Sequence, residues 1–151
     1  MPKKKSAPHN WPSLNSWLYS ININDQQINK YFLYSALVNY FPGSIKGSHK
    51  IPSKKEIDKE RKRLVKTIKD YNPDITVPVG RISISYCLGQ KVLPLDEVIG
   101  NIYYSDPYKA LGKIIKIIPL PHPSGASTWY NKPNNNKLLL NSLNLLKSNL
   151  L

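Results

Sequence analysis

Two halves of different composition make up the stretch Ile114-Ile115-Lys116-Ile117-Ile118-Pro119-Leu120-Pro121-His122-Pro123-Ser124-Gly125-Ala126-Ser127-Thr128-Trp129. Its first half is a β-branched apolar run broken only by Lys116, which predicts a buried strand from Lys113 to Leu120. The second half is rich in Pro, Ser and Gly and predicts a stiff loop. Because ligands bind beyond the carboxyl ends of strands in open α/β sheets, His122 lies where a site is expected. The alternative is an ordinary proline-rich turn carrying a surface histidine.

The rest of the chain alternates strand and helix patterns. Ile75–Val79 predicts a second buried strand, and Gly80-Arg81 begins a helix at a turn where glycine lets a ligand approach the backbone. The nearly continuous apolar run Tyr31–Val38 predicts a strand covered on both faces. Ser53, with Glu56 three residues later, predicts the cap of a long helix that ends at Asn72-Pro73. Further predictions are short helices at 12–18 and 25–30, a turn at 96–100, a minor strand at 102–104, a polar bend at 105–109, a polar spacer at 131–136 and a leucine-rich helix at 137–150.

Length and composition limit the classes of protein to which this chain can belong. The chain has 151 residues, enough for one domain. Its 22 Lys and Arg against 9 acids give a formal charge of +13, which favours a polyanionic partner, although a general preference for Lys, Asn, Ile and Tyr is an alternative cause. The single cysteine, Cys87, excludes an intrachain disulfide and an all-cysteine metal site, and its setting predicts a core residue. Without an apolar run of transmembrane length or a hydrophobic leader, the sequence predicts an intracellular, cytoplasmic protein with no membrane association.

Several short motifs, in order along the chain, resemble the uracil-DNA glycosylase superfamily. They are Tyr40-Phe41-Pro42-Gly43, Ile51-Pro52-Ser53, Val77-Pro78-Val79-Gly80-Arg81, Val98-Ile99-Gly100 and, most specific, Pro119-Leu120-Pro121-His122-Pro123-Ser124-Gly125 followed by Trp129. The resemblance covers about residues 11 to 150. It implies a three-layer α/β/α domain with a short, mostly parallel central sheet.

The same resemblance implies the domain organisation. In the family, a first strand and a glycine-rich, water-positioning loop precede the segment that Trp11 to Leu18 resembles. The expectation is therefore an N-terminally truncated domain at residues 11–151 that lacks the first strand. Residues 1–10 are expected to form a disordered basic tail.

For function, the resemblance implies hydrolysis of the N-glycosidic bond of uracil or another damaged base in DNA, as in base excision repair. The catalytic role implied for His122 is to donate a hydrogen bond to the departing base. One alternative is a catalytically inactive, nucleic-acid-binding member of the family. Another is a Rossmann-like ligand-binding module that shares only the scaffold.

The resemblance also implies the residues around the site. The implied base pocket is formed by Ser35, Ala36, Asn39 and Phe41, and Ala36 stands where many members carry a base-reading asparagine. Tyr40 and Glu60 stand roughly where some branches have cluster-binding cysteines, so no iron–sulfur cluster, metal or other cofactor is expected. DNA is the expected partner, contacted by Pro121, Pro123, Ser124, Gly125, Ala126, Ser127, Gly80, Arg81, Lys46 and Lys50.

Overall fold

A computed structural model describes residues 11–33, 44–45, 48–49, 54–91, 94–123 and 129–150. The helices in these ranges are α1 (Pro12–Ser20), α2 (Asp25–Tyr31), α3 (Lys54–Tyr71), α4 (Arg81–Leu88), α5 (Leu95–Val98) and α6 (Pro133–Leu150). The strands are β1 (Ser44–Ile45), β2 (Ser48–His49), β3 (Ile75–Thr76), β4 (Tyr103–Ser105) and β5 (Ile115–Ile117). Short 3₁₀ helices cover Pro107–Lys109 and Trp129–Asn131.

The main sheet has the strand order β3-β5-β4. β3 and β5 are parallel, with Ile75 opposite Lys116, whereas β4 is antiparallel to β5, with Tyr104 opposite Lys116. The sequence predicted mostly parallel strands, and in the described part of this sheet one of the two strand pairs is antiparallel. The reason is the connection between β4 and β5, residues 106–114, which is shorter than a parallel crossover requires.

Helices cover both faces of this sheet, as the predicted three-layer α/β/α class requires. Ile115 and Ile117 of β5 pack into a buried cluster with Leu64 and Ile68 of α3 and Cys87 of α4. The side chains of successive strand residues point to opposite faces. Accordingly, the following apolar residues pack into a second cluster with α1, α2 and α6, whose members are Leu14, Leu18, Ile21, Ile23, Ile28, Ile118, Leu120, Leu139, Leu143 and Leu146.

Lys116 interrupts the isoleucine run without leaving a buried charge unpaired. Its Nζ donates a hydrogen bond to Asn149 Oδ1 of α6, 2.6 Å away. The lysine stem can therefore cover apolar surface while its ammonium group reaches a polar partner near the end of the helix.

In the first half of the chain, one predicted boundary is wrong and another lies outside the residues that the structure describes. Asn24 and Gln27 form a capping box that starts α2, and the helix continues through Tyr31, so the predicted strand Tyr31–Val38 is wrong at its first residue. Phe32 has extended backbone angles, and the remainder of that prediction from Tyr34 onward lies outside the described residues. α3 ends at Tyr71 as predicted, with Asn72 at φ 51°, whereas the predicted cap Ser53 lies outside the description.

Two segments predicted to be polar surface are better ordered than expected. α6 begins at Pro133, so residues 133–136 of the predicted polar spacer are helical. Proline is favoured at the first turn of a helix, where its missing N–H would have no intrahelical partner. In the predicted polar bend, Pro107 and Tyr108 are buried.

Leu143 is 1% exposed in the cluster between α6 and the sheet, whereas Leu140, on the same helix, is 46% exposed. We expect Leu143→Ala to lower the free energy of unfolding by about 2–5 kcal/mol, because it removes buried methyl groups and leaves a cavity. Leu140→Ala should change it by about 0.5 kcal/mol or less. Urea denaturation of both variants checks this; equal losses would contradict the position of α6 on the sheet.

Candidate active site

The site begins where the two parallel strands end side by side. Beyond β3 and β5 the pairing continues through a bridge between Val79 and Leu120. Leu120 N–H donates to Pro78 O over 3.0 Å, and Gly80 N–H donates to Leu120 O over 2.9 Å. His122 follows Leu120 by two residues, so it lies at the carboxyl edge of the sheet, where the sequence predicted a site.

Gly80 is the residue against which the ring of His122 lies. Its backbone, at φ 89° and ψ 157°, occupies a region that is essentially restricted to glycine. A Cβ atom built at position 80 would lie 3.6 Å from His122 Cδ2 and 3.7 Å from His122 Cβ. A Cβ atom there would be in ordinary van der Waals contact with the imidazole, so the backbone conformation, and not a lack of space, requires glycine at this position.

Trp11 is the second aromatic neighbour of His122. The two ring centroids are 5.4 Å apart and the ring planes meet at 63°, an edge-to-face arrangement. Trp11 stands immediately before α1 and packs against the cluster between α1, α6 and the sheet. Sequence analysis missed this contact, because no periodicity or motif links a residue at the start of the chain to the His122 loop.

The electrostatic environment favours the neutral imidazole. His122 keeps solvent-exposed surface, whereas Pro121 and Pro123 on either side are buried. The contacts with Trp11 and Gly80 remove part of the ring's hydration, and this partial burial lowers the pKa of His122 below its ordinary value of 6.5. At neutral pH the ring is therefore uncharged, and one of its nitrogens carries a proton that it can donate.

The structure brings together five of the residues predicted for the site: Gly80, Arg81, Pro121, His122 and Pro123. Arg81 is exposed at the first position of α4, directly after the glycine that touches the imidazole. The remaining predicted residues lie outside the described part of the chain. They are Ser35, Ala36, Asn39, Phe41, Lys46, Lys50, Ser124, Gly125, Ala126 and Ser127.

Two open depressions occur elsewhere on the described surface. One, of about 470 Å³, is lined by Asp96, Trp129, Lys132, Pro133, Asn134 and Asn135. The other, of about 510 Å³, is lined by Asp58, Arg61, Lys62 and Val65. His122 lines neither of these depressions, and its side chain is exposed at the surface of the described structure.

Away from His122, the buried cysteine has a structural role, and the described His, Cys, Asp and Glu side chains form no metal-binding cluster. Cys87 is 1% exposed, as its predicted core position requires, and burial raises the pKa of its thiol to about 12. Within the described residues, no three His, Cys, Asp or Glu side chains group closely enough to hold a metal ion. No helix there combines the length and apolar character needed to cross a bilayer, and the cytoplasmic location stays a prediction.

This geometry defines the class of protein: a three-layer α/β domain that presents a neutral imidazole at the carboxyl edge of its sheet. Residues 7–147 match the family model of the Uracil DNA glycosylase superfamily. Since the match covers nearly the whole chain, the protein belongs to the uracil-DNA glycosylase superfamily, which confirms the resemblance seen in its motifs. Membership supports a glycosylase-like function in general, within DNA repair and hydrolysis. A search of curated proteins gave no match.

The lowered pKa of His122 makes stability depend on pH. The unfolded chain binds the proton more readily than the folded chain, so the contribution of the neutral ring is fully present above pH 6.5 and is lost as the pH falls from 6.5 through the lower folded pKa. We expect His122→Gln to lose less stability than the wild type between about pH 7.5 and about pH 5.5. Urea denaturation at both pH values measures this, and parallel losses would contradict it.

Gly80 and Gly89 cap opposite ends of α4, and both have positive φ, 89° and 68°. We expect Gly80→Ala to cost about 1–3 kcal/mol through backbone strain and to shift the NMR signals of the His122 ring, which the new methyl group would touch. Gly89→Ala is the matched control. It should cost about 1–2 kcal/mol and leave those signals unchanged, because nothing lies within 4 Å of a Cβ there. Unchanged His122 signals in Gly80→Ala would contradict the contact.

Proposed function

We propose that this protein hydrolyses the N-glycosidic bond of uracil or another damaged base in DNA, with His122 stabilising the departing base. The observation that carries the proposal is the position of His122, exposed at the carboxyl edge of the parallel strand pair and held against Gly80 and Trp11. Membership of the superfamily supports the general class of reaction.

The chemistry explains why a neutral imidazole suits this task. An enzyme can reach the bond between a base and its sugar only after the base leaves the stacked duplex, or in a single strand. When the bond between C1′ and the base nitrogen breaks, its electron pair stays with the base, and the negative charge spreads onto a ring carbonyl oxygen. Water adds to C1′, and its proton is released to solvent or to the base. An N–H donor aimed at the oxygen stabilises the charge as it forms, and such a fixed donor is worth about 2.7–4 kcal/mol.

The surroundings of His122 support binding to a polyanion. The chain carries a formal charge of +13, and Arg81 is exposed beside the glycine that touches the imidazole. In this proposal Gly80, Arg81 and the loop from Pro121 to Ser127 contact the DNA backbone, with Lys46 and Lys50 adding phosphate contacts. Ser35, Ala36, Asn39 and Phe41 form the base pocket. A pocket with alanine in place of a base-reading amide discriminates less sharply among bases, because fewer of its polar groups are left unpaired by the wrong base.

Base release can be measured as strand breaks after alkali treatment of a uracil-containing single strand and of a uracil–guanine duplex. We expect His122→Ala to lower the rate by about 10²–10³-fold, the usual cost of removing one charge-stabilising donor. Tyr104→Ala is the control, because Tyr104 is 66% exposed on the edge strand β4 and should be replaceable without loss. Equal rates in wild type and His122→Ala would refute the assigned role.

A second candidate function is a catalytically inactive member that binds nucleic acid, and the charge of +13 is the observation that favours it. The same DNA substrates separate the two. Gel retardation that weakens steeply with salt, without any alkali-sensitive breaks, would support the binder, because phosphate contacts release counterions.

A further inference from the structure

We propose that Trp11 is a positioning residue for His122: the indole holds the imidazole in one orientation against Gly80 and so prepares it to donate its hydrogen bond. This inference rests on the proposed function of His122. It adds a residue more than a hundred positions away along the chain, outside the loop that carries the histidine.

The flanking prolines alone do not orient the ring. Pro121 and Pro123 restrict the backbone around His122, but the imidazole still turns about its own side-chain torsions. Its orientation must therefore come from groups that touch it. In the described structure the ring of Trp11 lies 5.4 Å away between centroids, and Gly80 is a close neighbour, since a Cβ atom built there would lie 3.6 Å from His122 Cδ2.

Trp11 is itself firmly anchored, as a positioning residue must be. Its carbonyl accepts the hydrogen bond of Asn15 N–H over 2.8 Å, which makes it part of the first turn at the start of α1. Its indole packs against the buried cluster that joins α1 and α6 to Ile118 and Leu120 of the sheet. The same cluster therefore holds both the strand that carries His122 and the ring that touches it.

The contact also favours the protonation state that the chemistry needs. An indole carries no charge and displaces water from the imidazole, so it disfavours the imidazolium form. The cations on the neighbouring elements are Arg81, exposed at the start of α4, and Lys116 of β5, whose Nζ is paired with Asn149. The other titratable side chains of these elements are Tyr19, which donates to Asp25, Tyr86, and Cys87, whose burial raises the pKa of its thiol to about 12.

The chain provides a matched control in Trp17. This residue is partly buried against the same cluster as Trp11, and its ring makes a similar edge-to-face contact at 5.6 Å and 86°, but with Tyr130. Replacing Trp17 therefore removes an indole from the same core without touching His122. Any effect common to both tryptophans reports packing, and any effect confined to Trp11 reports the contact with the imidazole.

The test combines NMR of the histidine ring with kinetics on the full chain. In Trp11→Leu we expect the His122 ring signals to shift and the pKa of His122 to rise toward 6.5, whereas Trp17→Leu leaves both as in the wild type. Trp11→Phe keeps an aromatic ring and should give intermediate values. The chain has three histidines, so the spectrum of His122→Gln assigns the signals. On uracil-containing DNA, Trp11→Leu should lower kcat on the order of 10- to 100-fold with a smaller change in KM.

The outcomes separate this inference from the proposed function. If the His122 signals and pKa in both Trp11 variants match those of Trp17→Leu, the inference is overturned. It is also overturned if His122→Ala loses activity while Trp11→Leu keeps the wild-type kcat. If the wild-type protein releases no base, the proposed function fails, and the catalytic part of the inference fails with it. The NMR comparison then still decides whether Trp11 holds the imidazole.

Discussion

The parallel pairing between residues 76–80 and 117–120 is the constraint on which the site depends. Backbone hydrogen bonds from Ile118 to Thr76, from Leu120 to Pro78 and from Gly80 to Leu120 fix the register of the two chain segments. In this register Gly80 ends one strand where the loop of His122 leaves the other. A shift of one residue would reverse the faces of Ile117 and Ile118, which are both fully buried, and would move the loop of His122 away from Gly80.

The apolar run of β5 makes this register costly to change. Ile115 and Ile117 pack toward α3 and α4, and Ile118 and Leu120 pack toward α1 and α6, so the segment is buried on both faces. A slip of one residue would turn Lys116 away from Asn149 and toward the apolar cluster with α3 and α4, where its charge would be buried without that partner. Burial of this segment thus stabilises the fold and, at the same time, positions the histidine.

Much of this site follows from local sequence. The isoleucine run, the two prolines around His122 and the glycine after Val79 are short-range signals, and they correctly predicted two strands and a histidine beyond the carboxyl end of one of them; that the two strands are neighbours emerges only from the structure. Long-range features could not be read in this way. The antiparallel pairing of β4 depends on a short connection, and the contact between Trp11 and His122 arises only when α1 packs on the cluster shared with α6. Tyr31 was misassigned because its apolar neighbours resemble a strand, whereas the capping box at Asn24 extends α2 through it.

The exposure of His122 and the lowering of its pKa together indicate what kind of contact the ring can make. A histidine buried for structural reasons would lose both its charge and its access to other molecules. Here the ring loses part of its hydration through Trp11 and Gly80 yet keeps an exposed surface, a combination that presents a neutral hydrogen-bond donor to a partner. A surface that only attracted DNA phosphates would gain from a protonated histidine, since a cation binds a phosphate more strongly than a neutral ring does. In the reaction that we propose, such a neutral donor suits a departing base better than it suits the phosphate backbone.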